Sequence, residues 1–221
     1  MTEALLAAGA ASYVASTVLP IRGLHDWLVG GAVFRLASPG VAPTFDDGPD
    51  PERTPALLDV LARAGAKATF FLVGKCAAAH PDLVRRIAGE GHAIGNHTFT
   101  HAWLPGLSAR RIEAELARCQ DVLADVTGAR PRLVRPPYGQ RDFRFYRIAR
   151  RLGLTPVLWS LDSRDWTGAS SETILRRARR AGPGDVVLLH DGDPRARGTL
   201  AALTEWLATP PPVPLQRIDL A

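Results

Sequence analysis

Asp47, His97 and His101 are the side chains whose types and spacing point most directly to chemistry. One carboxylate and two imidazoles make three ligands for a divalent ion and leave coordination positions open for water and substrate, which is the form of a catalytic metal site. The two histidines stand at i and i+4, so a coiled segment after Asn96 would present both rings from one face. Such a pair alone is common on ordinary surfaces, and Asp47 is what makes it a candidate ligand set. Asp46 precedes Asp47, and in an extended chain neighbouring side chains diverge, so one carboxylate can bind a metal while the other faces the water to be activated. Asp46-Asp47-Gly48-Pro49 also fits ordinary turn chemistry. His190 closes the apolar run Val186-Val187-Leu188-Leu189, where it reads either as a structural core histidine or as an imidazole delivered to the rim of a pocket.

These groups need elements to position them. The stretches 41–46, 66–73, 92–96, 133–135, 154–161, 185–190 and 215–219 read as strands. Between them, 54–64, 81–90, 108–127, 143–152, 171–180 and 199–207 read as helices, several ending on glycine. About seven strands alternating with helices predict an α/β fold whose parallel sheet is closed, or nearly closed, into a distorted barrel like a TIM barrel. In such a fold the strand-to-helix loops open on one face, where the polar clusters at 44–49, 97–101, 135–139 and 188–191 would converge. An open doubly wound sheet is the competing topology, but no glycine-rich phosphate fingerprint follows the first strand. Pro43 inside that strand is expected to be tolerated beside an open seam of the barrel. The Pro-rich stretch 210–214 reads as a stiff connection.

The chain has 221 residues, 46% of them hydrophobic, enough for one domain over 41–221 preceded by a lead-in over 1–40. Its formal charge is +5, carried mostly by Arg scattered along helical stretches such as 141–151 and 176–180. Without interleaved aromatic or glycine-rich basic segments these read as solvated helix faces and not as a nucleic-acid footprint, although they favour an anionic envelope polymer or surface. Cys76 and Cys119 form no metal motif or disulfide framework; Cys119 lies on a helical stripe with Ile112, Leu116, Leu123 and Val126 and reads as a reduced core thiol. Residues 4–19 are uncharged and apolar, extendable to 21, and no Lys or Arg precedes them. They make a poor secretory leader and a short membrane span; a membrane-associating helix and a helix packed on the domain are both consistent with them.

Five motifs in order resemble the polysaccharide deacetylase family, the carbohydrate esterases with the NodB homology domain: Thr44-Phe45-Asp46-Asp47-Gly48, His97-Thr98-Phe99-Thr100-His101, Arg135-Pro136-Pro137-Tyr138-Gly139, Asp162-Ser163-Arg164-Asp165-Trp166 and Leu188-Leu189-His190. The resemblance implies metal-dependent removal of an N-acetyl group from a hexosamine in peptidoglycan or chitin-like polymers. Asp47, His97 and His101 would bind the metal, zinc first, with cobalt, nickel or manganese as replacements. Asp46 would be the general base, His190 the general acid, and the backbone N–H of Tyr138 an oxyanion donor. Arg135 would orient Asp46, Asp162 would hold and tune His190, and Trp166, Leu188 and Pro137 would line the acyl pocket. A monomer at the cell envelope is the expected form, with a cytoplasmic location also consistent. The alternatives are an amide hydrolase of the same fold acting on a small or lipid-linked acylated amine, and a non-catalytic carbohydrate-binding module. The module is disfavoured because all three ligands and both proton-transfer residues are present. The short tail after His190 leaves little room for loops that would build a long sugar groove.

Overall fold

The apolar runs form short strands in the computed structural model, which describes residues 31–219. They are β1 (Ala42–Asp46), β2 (Thr69–Leu72), β3 (Ala93–Asn96), β4 (Leu133–Val134), β5 (Thr155–Pro156), β6 (Leu161–Asp162) and β7 (Val186–His190). The helices are α1 (Arg53–Arg63), α2 (Gly74–Ala79), α3 (Pro81–Gly89), α4 (Ala109–Thr127), α5 (Phe143–Arg151), α6 (Ser171–Ala178) and α7 (Thr199–Ala208). Helix boundaries follow local chemistry. The Ser108 hydroxyl caps α4 by accepting from Arg111 N–H, and Gly128 ends it at φ 75°, a left-handed conformation that glycine reaches without a Cβ clash. Asp142 caps α5 through the N–H groups of Arg144 and Phe145.

Among the described residues the strands form one parallel sheet in the order β5-β4-β3-β2-β1-β7-β6. β5 and β6 follow each other in the chain but occupy opposite edges, so the sheet curls into a distorted barrel whose seam is crossed by residues 157–160. The expected single strand over 154–161 is therefore two two-residue strands joined by that crossing. The lead-in stretch 33–36 ties both sides of the seam: Val33 exchanges backbone hydrogen bonds with Pro156 and Leu158, and Leu36 N–H donates to Gly184. The lead-in residues 33–36 thus pair with the sheet, and one compact unit runs from Val33. The stretch 215–219 forms no strand, only a bridge from Leu215 to Val41 and a hydrogen bond from Ile218 N–H to Thr69.

Pro43 is not at the seam, because β1 is an interior strand between β2 and β7. Ala42 N–H points toward β7, where it donates to Asp185, and successive N–H groups of a strand alternate in direction. The position without an N–H therefore faces β2, whose pairing with β1 starts only at Thr44.

Side-chain alternation separates two layers. Phe45, Phe70, Leu72, Val187 and Leu189 join the core shared with the helices, where Phe45 stacks on Phe70. Ala42, Phe71, Leu133 and Val186 pack in a second cluster with Ile218. The stripe on α4 is as expected, with Ile112, Leu116, Cys119 and Leu123 buried. Both cysteines are free, and burial pushes the Cys119 thiol up to about 12. Residues 4–21, with their expected membrane association, lie outside the described residues; among the described residues no helix is long and apolar enough to cross a membrane.

Candidate active site

Asp46 and His190 are register partners at the carboxyl ends of adjacent parallel strands, so strand pairing alone brings the two groups side by side. By alternation they share a layer with Thr44 and Leu188, and the same parity delivers His97 after β3 and Arg135 after β4. Arg135 has no solvent exposure, yet every donor direction that matters is used. Its Nη1 donates to Asp46 Oδ1 at 2.7 Å and to Thr44 Oγ1 at 2.8 Å. Nε and Nη2 donate to the carbonyls of Val157 and Leu158 on the seam crossing. Gly95 has no side chain because a Cβ there would lie 2.4 Å from the Phe71 ring, over which the Arg135 guanidinium stacks at 4.1 Å.

Asp47 leaves the plane of its neighbour through a left-handed backbone, φ 77°, and turns its carboxylate toward the second motif. Its Oδ1 lies 3.0 Å from His101 Nε2 and 3.3 Å from His97 Nε2. That oxygen is buried and makes no hydrogen bond of acceptable geometry. His97 Nδ1 stands 2.7 Å from the carbonyl of Arg135, an acceptor only, so the proton sits on Nδ1 and the Nε2 lone pair faces Asp47. Electron-rich atoms of Asp47, His97 and His101 thus lie within 4.8 Å of one another. This is costly without a cation among them, and the donor set fits a divalent metal. Burial alone would raise the Asp47 pKa; the His101 and His97 rings and the charge of His190 outweigh it and hold the carboxyl well below its usual range.

The segment from His97 to His101 is not a helical turn. It is an irregular loop with left-handed residues at Thr98 and His101. The rings converge because the loop is pinned: Glu115 of α4 accepts from Phe99 N–H, Thr100 N–H and the Thr100 hydroxyl, and Asn96 Oδ1 accepts from Thr98 N–H. Gly74 and Lys75 N–H groups meet the carbonyls of Thr98 and Phe99. Glu115 is a positioning residue that sequence reading missed, although a carboxylate on the apolar stripe of α4 was a visible signal.

His190 is paired with Asp165 and not, as expected, with Asp162. His190 Nδ1 lies 2.7 Å from Asp165 Oδ1, and His190 N–H donates to Asp165 Oδ2 at 2.7 Å. Asp165 is fully buried and also accepts from Thr199 Oγ1 and Trp166 N–H. Asp162 instead accepts from Arg164 N–H and, at 3.4 Å, from the Trp166 indole, and burial raises its pKa. The left-handed Arg164, φ 61°, redirects the chain between the two carboxylates, and the second one turns toward His190. Burial would lower the imidazole pKa; Asp165 first, then Asp47 and Asp46, overcome it and raise His190 to about 10.

Tyr138 forms a turn with Pro137 and Gly139 in a left-handed conformation, φ 58°. The turn is closed by the N–H groups of Gly139 and Gln140, so the Tyr138 N–H takes no part in closing it. Pro137 and Leu188 are buried and Trp166 half-buried. A second group missed from sequence is Asp191, fully buried behind the site. Burial is the main cause that raises its pKa, to about 7, and its Oδ2 accepts from Thr54. It packs so close to Gly48 that a Cβ there would clash.

A family model described as polysaccharide deacetylase matches residues 36–157, more than half of the chain. The chain belongs to the polysaccharide deacetylase family. A peptidoglycan-N-acetylglucosamine deacetylase of Bacillus cereus is 41% identical over 151 residues, which are 68% of this chain and 55% of the relative, so this chain spans about half of that protein's length. A chitooligosaccharide deacetylase of Azorhizobium caulinodans is 39% identical over 153 residues, 68% of this chain and 73% of the relative. A solved family 4 carbohydrate esterase from Streptomyces lividans, in complex with acetate, superposes with a TM-score of 0.72 at 37% identity, covering 77% of this chain and 87% of that one. The deformed barrel of the family is the fold seen here. The segments Asp162–Trp166 and Leu188–His190 lie beyond the stretch that the family model matches.

Proposed function

We propose that this chain is a metal-dependent deacetylase that hydrolyses the N-acetyl amide of N-acetylglucosamine-type sugars in peptidoglycan or chitin-like polymers. The observation that carries the reading is the buried Asp47 Oδ1, without a hydrogen-bond donor between two imidazole nitrogens, beside a carboxylate and an imidazole held in opposite charge states. Asp47, His97 and His101 would hold the ion, most reasonably zinc, with cobalt, nickel or manganese able to replace it. When bound, a divalent ion supplies Lewis-acid polarisation of the amide carbonyl and a more acidic water at neutral pH.

The rest falls to the chain's own groups. Asp46, ion-paired with the Arg135 guanidinium at 2.7 Å, takes the proton of the attacking water. The Tyr138 N–H, unused in its turn, donates to the oxygen that gains charge as the carbonyl is attacked. His190, kept as imidazolium by Asp165, gives its proton to the departing amine nitrogen. Trp166, Leu188 and Pro137 form apolar wall for the acetyl methyl. A polymer of this kind places the activity at the cell envelope.

The names of the relatives divide between peptidoglycan and chitooligosaccharides, and turnover on each decides the substrate class. Metal-loaded protein is expected to release acetate from at least one of the two at a kcat/KM well above that on small acetamides. Faster turnover of simple acetamides or lipid-linked amides would favour the small-amide hydrolase. Full activity after chelation would sink the metal-dependent reading.

A further inference from the structure

Large apolar side chains stand exposed at three places among the described residues: Trp103, Tyr138 and Phe143. Two of these are in contact with each other, and one of them, Tyr138, with the candidate metal ligand His101. The Tyr138 ring packs edge-on against His101, with centroids 4.6 Å apart, and the Trp103 ring lies 5.5 Å from Tyr138 at a 49° tilt. A continuous aromatic surface therefore runs outward from a metal ligand, and its outer ring is 43% exposed. Such rings cost hydration unless a partner covers them, and exposed apolar surface at the rim of a polar cleft marks a binding site.

The platform is rigid before anything binds. Leu104, next to Trp103, is buried, and the loop of Pro105 to Leu107 is held from α5 by Arg144, which donates to the carbonyls of both residues. Asp142 in turn fixes the Arg144 guanidinium. Phe143, the third exposed ring, begins the same helix, and Trp103 with its two χ angles loses little freedom on contact.

We infer that Trp103, with the Tyr138 ring beside it, forms a subsite for the pyranose ring next to the one that loses its acetyl group. The inference rests on the proposed deacetylase reading and adds a substrate length to it. The weakly positive C–H face of a hexosamine complements the negative face of an indole, and no charge is demanded of the ligand. The substrate is then an oligomer or polymer that extends past Trp103, and a lone N-acetylhexosamine leaves the platform uncovered. The extra contact comes from the loop after the second motif.

Activity on N-acetylglucosamine and on its oligomers up to the tetramer, measured for wild type, Trp103→Ala and Trp103→Phe with metal added, tests this. In Trp103→Ala the gain in kcat/KM from monomer to tetramer should shrink roughly five- to tenfold, through KM and not kcat, the range expected for one lost aromatic contact. Trp103→Phe should restore part of it. An unchanged length dependence, or an equal loss in kcat at every length, overturns the subsite. If wild type releases acetate neither from these sugars nor from peptidoglycan, the deacetylase reading has failed. Calorimetric binding of the tetramer then decides the subsite separately: weaker binding by Trp103→Ala supports it, while equal or absent binding overturns it.

Discussion

The two halves of the site solve the same problem with opposite signs. On the side of β1, β3 and β4 stand two carboxylates, Asp46 ion-paired with the Arg135 guanidinium and Asp47 held well below the usual carboxylate range. On the side of β6 and β7, a buried imidazole is kept cationic by the Asp165 carboxylate. Burial works against the charged form in both, so each half depends on one close partner; removing a partner from a buried pair of this kind costs about 3–5 kcal/mol. Under the proposed mechanism the difference assigns the protons: the anionic half would take one and the cationic half would give one, with Asp46 and His190 set side by side by strand register.

Breaking the anionic half should have the largest effect. Asp47→Ala removes the oxygen shared by the two imidazoles and should lose both metal, by elemental analysis, and turnover down to background. Asp46→Asn should lose turnover by about 10²-fold or more while keeping the metal, the usual scale for a general base. A variant pair in which Asp46→Asn empties the site and Asp47→Ala leaves it filled would mean that the adjacent carboxylates exchange roles.

The cationic half is sharpened by pH. His190 must be protonated to act, and its raised pKa keeps it so on the alkaline side. Asp165→Asn removes the main cause of that rise, so the alkaline limb of kcat against pH should move from near 10 in the direction of the ordinary imidazole value of about 6.5. Asp162→Asn, three residues earlier and bonded elsewhere, should leave that limb in place. A shift in the second variant without one in the first would break the pairing drawn here. The smallest effect is expected at Glu115→Gln, which weakens the grip on the His97–His101 loop. Metal affinity should fall about tenfold, read by competition with a chelator, with kcat at saturating metal nearly unchanged.

Sequence alone pointed to the anionic half because its groups are contiguous: Asp46-Asp47 and the His97/His101 pair are each ordinary as strings, but together they make up a candidate ligand set. The partner of His190 was not legible, since Asp162 and Asp165 sit in one five-residue motif and only the left-handed Arg164 decides which carboxylate faces inward. The strand pattern was readable wherever an apolar run stays in one strand. It failed at 154–161, where the run crosses the seam, and at 215–219, where hydrogen bonding reduces to a bridge. Glu115 shows a further limit, because its role is toward a loop fifteen residues earlier that only the packing of α4 brings within reach.

Five non-glycine residues of the described chain have a left-handed backbone, Asp47, Thr98, His101, Tyr138 and Arg164, and all five belong to the loops of this one face. Each carries about 1–2 kcal/mol of conformational cost that a glycine would largely remove. At Asp47 and His101 that relief would delete a proposed metal ligand. Drift toward a more stable chain is thus blocked at the positions where it would be easiest, and descendants that keep the activity inherit the strain with it.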